Sequence, residues 1–150
     1  MSSGPLIGRR NLSTQDEAAL DGPRGSETVL VVDDEPIVLR LCCSILERQG
    51  YEVLSADGAE EAFRICERLE KKLHLLLSDI VMPKIRGTEL AVRVSRMRPG
   101  ICVLLMSGFD GREIAEYKNL CQTEKLIRKP FTPLELLLAV RATLDKPPGL

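Results

Sequence analysis

The sequence is poor in aromatic and imidazole side chains. It has no tryptophan, two tyrosines, three phenylalanines and one histidine, His74. Aliphatic side chains must therefore fill the core, and an apolar fraction of 44 % is enough for a packed globular interior. At 150 residues, the chain is predicted to form one domain.

The cysteines lack the spacing of a disulfide framework or a zinc site. None forms a CxxC pair, and their number is odd. They are Cys42, Cys43, Cys66, Cys102 and Cys121. With a single histidine available, no zinc site of familiar Cys/His spacing can be assembled. We interpret the cysteines as buried thiols in a reducing cytoplasm.

Neither sign of charge predominates, since 21 basic residues accompany 22 acidic residues and the net charge is −1. This balance argues against direct nucleic-acid binding, which usually requires a basic excess. No apolar run approaches the roughly 20 residues needed to span a bilayer, and the N-terminus has no apolar stretch of signal-peptide length. We therefore expect a cytoplasmic protein that does not contact membranes.

Three segments differ in composition. Residues 1–26 are rich in serine, glycine, proline and mixed charge, which predicts a flexible tail or linker; Ser13 or Thr14 could cap a short helix within it. Residues 27–146 carry the regular apolar patterns of a folded domain, and residues 147–150 form a short C-terminal tail.

The central segment alternates apolar runs with helical patterns. Strands are predicted at 28–32, 51–55, 73–78, 101–106 and 125–128. Helices are predicted after each strand, at about 37–49, 59–69, 87–98, 111–120 and 133–144. Five strands alternating with five helices predict right-handed crossovers and a parallel sheet between helices, which is an α/β doubly wound domain.

Polar side chains follow four of the predicted strands. Asp33 and Asp34 follow the first, and Asp79, Ser107 and Lys129 follow the third, fourth and fifth. Ligands of open α/β sheets bind beyond the carboxyl ends of the strands, so these side chains are expected to converge there. Three crowded carboxylates call for a hard cation, most simply Mg²⁺. Together with a lysine and a hydroxyl, they suit phosphoryl transfer, with Asp79 as the nucleophile.

Each of these features alone has an ordinary explanation. A pair of aspartates at a strand end is often a helix-capping loop, and Ser107 followed by glycine is an ordinary turn. Lys129 followed by proline could be a solvated loop. Their occurrence together, each behind an apolar run, favours the functional interpretation.

The segments VLVVDDEP, LLLSDIVMP, LLMSGF and IRKPFTPLEL resemble the signature segments of receiver domains in two-component signalling. The resemblance covers about residues 27–145. It implies a flavodoxin-like (βα)5 fold, a doubly wound parallel five-stranded sheet in the order 2-1-3-4-5. The segment after Ser107 looks most like receivers attached to hybrid sensor kinases.

The resemblance also implies a metal site. Asp34 and Asp79 would bind Mg²⁺ directly together with the backbone carbonyl of Val81, and Asp33 would act through water. Asp79 would be the phosphoacceptor of a signalling domain that is not an enzyme in its own right, although it assists its own phosphorylation and slow dephosphorylation.

Two further residues would hold the phosphoryl group. The resemblance implies that Ser107 is the switch hydroxyl, that Lys129 pairs with the phosphoryl group, and that the peptide bond between Lys129 and Pro130 is cis. One position departs from the family pattern, because Leu126 stands where a switch aromatic is usual. Val81 and Phe109 are apolar beside the site, which predicts slow loss of the phosphoryl group.

A receiver takes its phosphoryl group from a sensor histidine kinase or a histidine phosphotransfer protein. Ile37, Arg40 and Leu41 on the first helix resemble the surface that docks such a donor. The face formed by the fourth predicted helix, the fifth strand and the last helix would change on phosphorylation, and it offers a surface for a homodimer. His74 has no partner in the sequence, so the donor histidine is expected on another domain or protein.

Two alternatives remain at this stage. A pseudo-receiver would use the same fold as a protein-binding module without phosphorylation, and the intact acids, hydroxyl and lysine argue against it. A hydrolase of the haloacid-dehalogenase kind also forms an aspartyl-phosphate, but it needs a second aspartate two residues after the nucleophile, where this sequence has Val81.

Overall fold

The computed structural model describes residues 21–108 and 125–146, in which five strands alternate with four helices. The strands are β1 (Thr28–Val32), β2 (Glu52–Ala56), β3 (Leu75–Asp79), β4 (Cys102–Ser107) and β5 (Lys125–Arg128). The helices are α1 (Pro36–Arg48), α2 (Ala59–Arg68), α3 (Gly87–Met97) and α4 (Pro133–Leu144). The helices predicted at 13–20 and 111–120 lie outside the described residues.

The strands form one parallel sheet in the order β2-β1-β3-β4-β5, which confirms the predicted fold class. Every residue of β1 and β3 is buried, as expected for strands covered on both faces. The register pairs Val32 with Ser78, and Asp79 with Met106. The residues that end β1, β3 and β4 are therefore side by side at one edge of the sheet.

Aliphatic side chains fill a core layer on each face of the sheet, as the shortage of aromatics predicts. Successive strand residues point to opposite faces of the sheet. Leu30 and Leu76 therefore pack on the side of α2 and α3, where they belong to the same cluster as Leu90 of α3. Val31 and Leu77 pack on the side of α1 and α4.

Three of the predicted strands begin too early. Tyr51, Leu73 and Ile101 are only 4 %, 3 % and 5 % exposed, yet each lies before the first residue of its strand. An apolar residue is expected to be buried, but it belongs to a strand only if its backbone also forms hydrogen bonds with a neighbouring strand. The apolar runs therefore begin before the strands do.

Polar groups complete the helix ends. Thr132 and Glu135 form a capping box at the start of α4, where each side chain accepts a hydrogen bond from the other's backbone N–H. At the end of α2, the Arg98 guanidinium donates to the carbonyls of Cys66, Leu69 and Lys71. The bond to Cys66 satisfies a carbonyl that the helix end leaves without a partner, and the bonds to Leu69 and Lys71 hold the loop that follows.

Residues 22–27, here called the strap, lie against the domain. Gln49 is fully buried at the end of α1. Its side-chain amide donates a hydrogen bond to the Gly22 carbonyl at 2.9 Å, and its backbone carbonyl accepts one from the Gly25 N–H at 3.0 Å. The strap lies at the end of the segment 1–26, for which composition predicts a flexible tail or linker. Composition does not reveal these long-range hydrogen bonds.

The described cysteines are free thiols. Burial raises the pKa of Cys42 to about 12 and that of Cys43 to about 11, so neither is a reactive thiolate at neutral pH. Cys121 lies outside the described residues. Within residues 21–108 and 125–146, no helix combines the length and apolar character needed to cross a membrane.

Candidate functional site at the carboxyl edge of the sheet

Asp33 and Asp34 occupy the short turn between β1 and α1. Asp33 is fully buried, and its Oδ1 accepts a hydrogen bond from the Glu35 N–H at 2.9 Å. This bond holds the turn in shape immediately before Pro36 starts the helix. Asp34 is exposed and faces solvent at the same edge.

Asp79 is the last residue of β3, and only 10 % of its side chain is exposed. Burial raises the pKa of this carboxyl to about 6. The Lys129 ammonium opposes that shift, whereas the negative charges of Asp33 and Asp34 add to it. Burial therefore outweighs the attraction of Lys129, and a further cation beside Asp79 would favour its charged form.

Lys129 lies between the two buried carboxylates. Its Nζ is 3.2 Å from Asp33 Oδ2 and 3.4 Å from Asp79 Oδ1. Burial alone would lower the pKa of the ammonium, but attraction to Asp79 and Asp33 outweighs it, and the net shift is upward. Lys129 therefore carries its charge at neutral pH.

Ser107 ends β4 and is 1 % exposed. Its carbonyl accepts a hydrogen bond from the Lys129 N–H at 2.7 Å, which fixes the loop after β5 against the end of β4. The peptide bond between Lys129 and Pro130 is cis, as the resemblance implies. The structure thus places the predicted hydroxyl and lysine on adjacent strand ends.

The three aspartates fit a divalent cation. One carboxylate oxygen from each of Asp33, Asp34 and Asp79 can be chosen so that all three lie within 4.8 Å of one another. Oxygen ligands in this number suit Mg²⁺, which keeps several waters in such sites. Lys129 contacts both buried carboxylates, Asp33 and Asp79, and one ammonium cannot balance two carboxylates, so a divalent cation would supply the missing charge.

The structure describes Leu126, the position that departs from the family pattern, and Val81, one of the two apolar positions beside the site. Leu126 lies on β5, is half-buried and packs against the core beside Leu105, its partner in the register. Val81 is 39 % exposed, two residues beyond Asp79. Phe109 lies outside the described residues, so the slow loss of the phosphoryl group stays a prediction.

Gly87, the first residue of α3, is a site residue that sequence reasoning missed. Its N–H donates to the Ile80 carbonyl at 2.8 Å, and a Cβ on it would lie 2.0 Å from the carbonyl oxygen of Asp79. Only glycine allows the start of α3 to lie this close to the end of β3. A glycine opening a predicted helix was the available signal, because glycine is a poor helix former.

A cleft of about 520 Å³ opens beside Asp34, between the start of α2 and the loop before α3. Phe63 and Arg93 form part of its wall, with the Arg93 guanidinium 5.7 Å from the centre of the Phe63 ring. In the loop, Lys84 has a φ of 74°, an uncommon conformation for a residue with a side chain. The cleft gives the exposed carboxylate of Asp34 access to solvent and to ligands.

Comparisons with known proteins agree with this geometry. The model of the response regulator receiver domain family matches residues 29–141. Sensor kinase CckA of Brucella abortus (strain 2308) is 34 % identical over 124 residues, which are 81 % of this chain and 13 % of that protein. Transcriptional regulatory protein ResD of Bacillus subtilis (strain 168) is 35 % identical over 120 residues, which are 79 % of this chain and 48 % of that protein.

A solved structure shares the fold. The response regulator receiver domain protein (CheY-like) of Methanospirillum hungatei JF-1 superposes with a TM-score of 0.71 at 31 % identity, covering 81 % of this chain and 95 % of that chain. The chain thus spans nearly all of an isolated domain of this kind. It spans less than half of ResD and a smaller part of CckA.

Proposed function

The chain belongs to the response regulator receiver domains of two-component signalling, and from that premise we propose that it accepts a phosphoryl group on Asp79 with the help of Mg²⁺. The observation that carries the proposal is the position of Lys129 between Asp33 and Asp79, with Ser107 on the next strand end. This arrangement pairs a nucleophilic carboxylate with a cation and a hydroxyl that can hold phosphoryl oxygens.

Asp33, Asp34 and Asp79 would hold Mg²⁺, which supplies positive charge to the oxygens of the transferring group. A carboxylate oxygen of Asp79 attacks phosphorus while the P–N bond of a donor phosphohistidine breaks. The electron pair of that bond stays on the imidazole nitrogen. Lys129 and Ser107 then hold the phosphoryl oxygens of the aspartyl-phosphate.

The donor is a sensor histidine kinase or a histidine phosphotransfer protein, because the described chain offers one histidine and it is engaged elsewhere. His74 lies before β3, where its Nδ1 accepts a hydrogen bond from the Thr28 N–H at 3.0 Å. The exposed side chains of Ile37 and Leu41 at the start of α1 form a docking surface for such a donor. A homodimer face including residues 111–120 stays a prediction, since that segment lies outside the described residues.

Acetyl phosphate tests the phosphoacceptor directly. Wild-type protein with Mg²⁺ is expected to give a shifted species on a phosphate-affinity gel, and Asp79→Asn none. Asp145→Asn is the matched control, because it removes an aspartate at the opposite edge of the sheet and should label like wild type. Equal labelling of wild type and Asp79→Asn would refute the assignment, and no labelling of any variant would favour the pseudo-receiver.

A thermal-shift titration tests the metal site separately. Mg²⁺ at a hundred times its dissociation constant should stabilise the wild type by about 2.7 kcal/mol. Asp34→Asn removes the exposed carboxylate and should lose most of that gain, whereas Asp145→Asn should keep it. A full gain in Asp34→Asn would exclude this residue from the metal site.

A further inference from the structure

We propose that Glu35 determines which phosphodonors react readily at Asp79, because its carboxylate lies beside the Lys129 ammonium and disfavours donors according to their negative charge. The donors that it favours carry positive charge next to the phosphoryl group. This inference rests on the proposed function. It concerns a side chain that belongs neither to the proposed metal site nor to the groups that hold the phosphoryl oxygens.

Glu35 is fixed at the site by its backbone. It lies between Asp34 and Pro36, in the turn that joins β1 to α1. Its N–H donates a hydrogen bond to Oδ1 of the fully buried Asp33 at 2.9 Å. The side chain of Glu35 therefore starts from a fixed point at the carboxyl edge of the sheet.

The Glu35 carboxylate contacts the ammonium that would hold the phosphoryl group. Its Oε1 is 3.8 Å from Lys129 Nζ, and the carboxylates of Asp33 and Asp79 are 3.2 and 3.4 Å from the same atom. At 3.8 Å the contact is an ion pair without a hydrogen bond. Three acids therefore share one ammonium, and an incoming phosphoryl group must compete with all three.

Glu35 differs from the other two acids in its exposure to solvent. Its side chain is 65 % exposed, whereas the side chains of Asp33 and Asp79 are 0 % and 10 % exposed. The two aspartates contact the ammonium from the interior, and Glu35 contacts it from the solvent side. A phosphodonor also arrives from solvent, so it meets the charge of Glu35 as it approaches Asp79.

An acid at the start of a helix commonly has a structural role, because its charge stabilises the helix N-terminus. Glu35 is the N-cap residue of α1, but its side chain forms no capping hydrogen bond. Its carboxylate lies beside Lys129 instead. Capping alone therefore does not explain where this carboxylate lies.

The distance between the charges sets the size of the expected effect. An ammonium that bonds a phosphoryl oxygen at about 3 Å and lies 3.8 Å from Glu35 brings the two negative groups within roughly 7 Å of each other. At this separation in water, each unit of negative charge on the donor should cost about threefold in rate. Acetyl phosphate carries two such charges at neutral pH, whereas the ammonium of phosphoramidate leaves it with one.

Labelling rates of Glu35→Gln test this inference, because glutamine keeps the length of the side chain and the backbone bond to Asp33. With Mg²⁺ at low ionic strength, a phosphate-affinity gel should show the variant labelling about eightfold faster than wild type with acetyl phosphate, and about threefold faster with phosphoramidate. In roughly 1 M salt, where the Debye length is about 3 Å, both ratios should fall towards one. A purely structural change would not depend on donor charge and salt in this way.

Glu70→Gln is the matched control, since Glu70 is exposed in the loop between α2 and β3, at the opposite edge of the sheet. It should label like wild type with both donors. Equal rates for wild type and Glu35→Gln, or the same ratio with both donors, would overturn the role of Glu35 and leave the proposed function intact. Absence of labelling in all three proteins would instead contradict the proposed function itself.

Discussion

The two ends of β1 each lie beside a cluster of charged side chains, and the clusters differ in how completely their charges are paired. At the amino end, Glu27 is bonded to Arg141 through both carboxylate oxygens, at 2.6 and 3.2 Å, and the same guanidinium contacts Tyr51 and Asp145. The hydrogen bonds from Arg141 lower the pKa of Glu27 to about 2. This cluster is complete without a ligand.

At the carboxyl end, the contacts are longer and the acids outnumber the base. Lys129 is 3.2 and 3.4 Å from the carboxylates of Asp33 and Asp79, and burial raises the pKa of Asp79 to about 6. The two clusters differ in role: one in which each acid has a basic partner stabilises the fold. A buried cluster with excess charge of one sign is instead suited to bind an ion of the opposite sign.

Replacing the basic side chain of a cluster should have the largest effect on the free energy of unfolding, and the loss should differ between the two ends of β1. In metal-free buffer, Lys129→Met leaves the buried Asp33 carboxylate without its partner and should lower the free energy of unfolding by about 3 kcal/mol. Arg141→Met should cost about 1 kcal/mol, because Glu27 can gain hydration at the surface. Urea unfolding measures both variants. Equal losses would break the distinction between the two clusters.

Glycine substitutions compare backbone packing at the two ends. Gly87→Ala directs a Cβ at the backbone of Asp79 and should lower the free energy of unfolding by about 2.5 kcal/mol, as overpacking does. Gly25→Ala meets side-chain atoms of Tyr51 and Glu27 rather than backbone, so it should cost less, about 1 kcal/mol. Gly58→Ala is the control, since no atom lies near its added Cβ. A larger loss in Gly25→Ala than in Gly87→Ala would contradict this ranking.

The pH dependence of Asp79 tests whether keeping this buried carboxylate charged lowers the stability of the fold. Its folded pKa of about 6 lies above the ordinary value of 3.8, so the folded state binds the proton more tightly and loses stability as pH rises between these values. Without divalent cations, Asp79→Asn should therefore be more stable than wild type by about 2 kcal/mol at pH 7, and the difference should vanish near pH 4. Urea unfolding across this range measures it.

Asp57→Asn provides the matched control for that experiment, since Asp57 is exposed near the same edge. Its stability should stay within about 0.5 kcal/mol of wild type, as for most surface substitutions. A destabilised Asp79→Asn variant at pH 7 would show that Lys129 already compensates for the burial of this carboxylate in the metal-free protein.

Replacing Glu27 should have the smallest effect on the free energy of unfolding, and this effect should depend on pH in the opposite direction to that of Asp79. Its folded pKa of about 2 lies below the ordinary value of 4.5, so its contribution is complete above pH 4.5 and is lost as pH falls toward 2. Glu27→Gln should lower the free energy of unfolding by about 1 kcal/mol at pH 7. Urea unfolding at pH 7 and pH 2.5 measures the difference, and the same sign of pH dependence for Glu27 and Asp79 would refute the comparison.

The carboxyl edge was predictable from the sequence because parallel strands place their ends together. Once the apolar runs before Asp33, Asp79 and Ser107 are recognised as strands, their proximity follows without knowledge of side-chain contacts. The position of the strap was not predictable, because it depends on hydrogen bonds from Gln49 and Arg141. These bonds join residues far apart in the sequence and leave no periodic pattern in it. The closeness of Gly87 to Asp79 was missed for the same reason, since it arises from how a loop folds back on a strand.

The strap continues without interruption into β1, which lies between β2 and β3. The bonds from Gln49 and Arg141 hold the strap between Gly22 and this strand. A pull on the chain before Gly22 would therefore load these bonds before it loaded β1, whose last residue directly precedes Asp33.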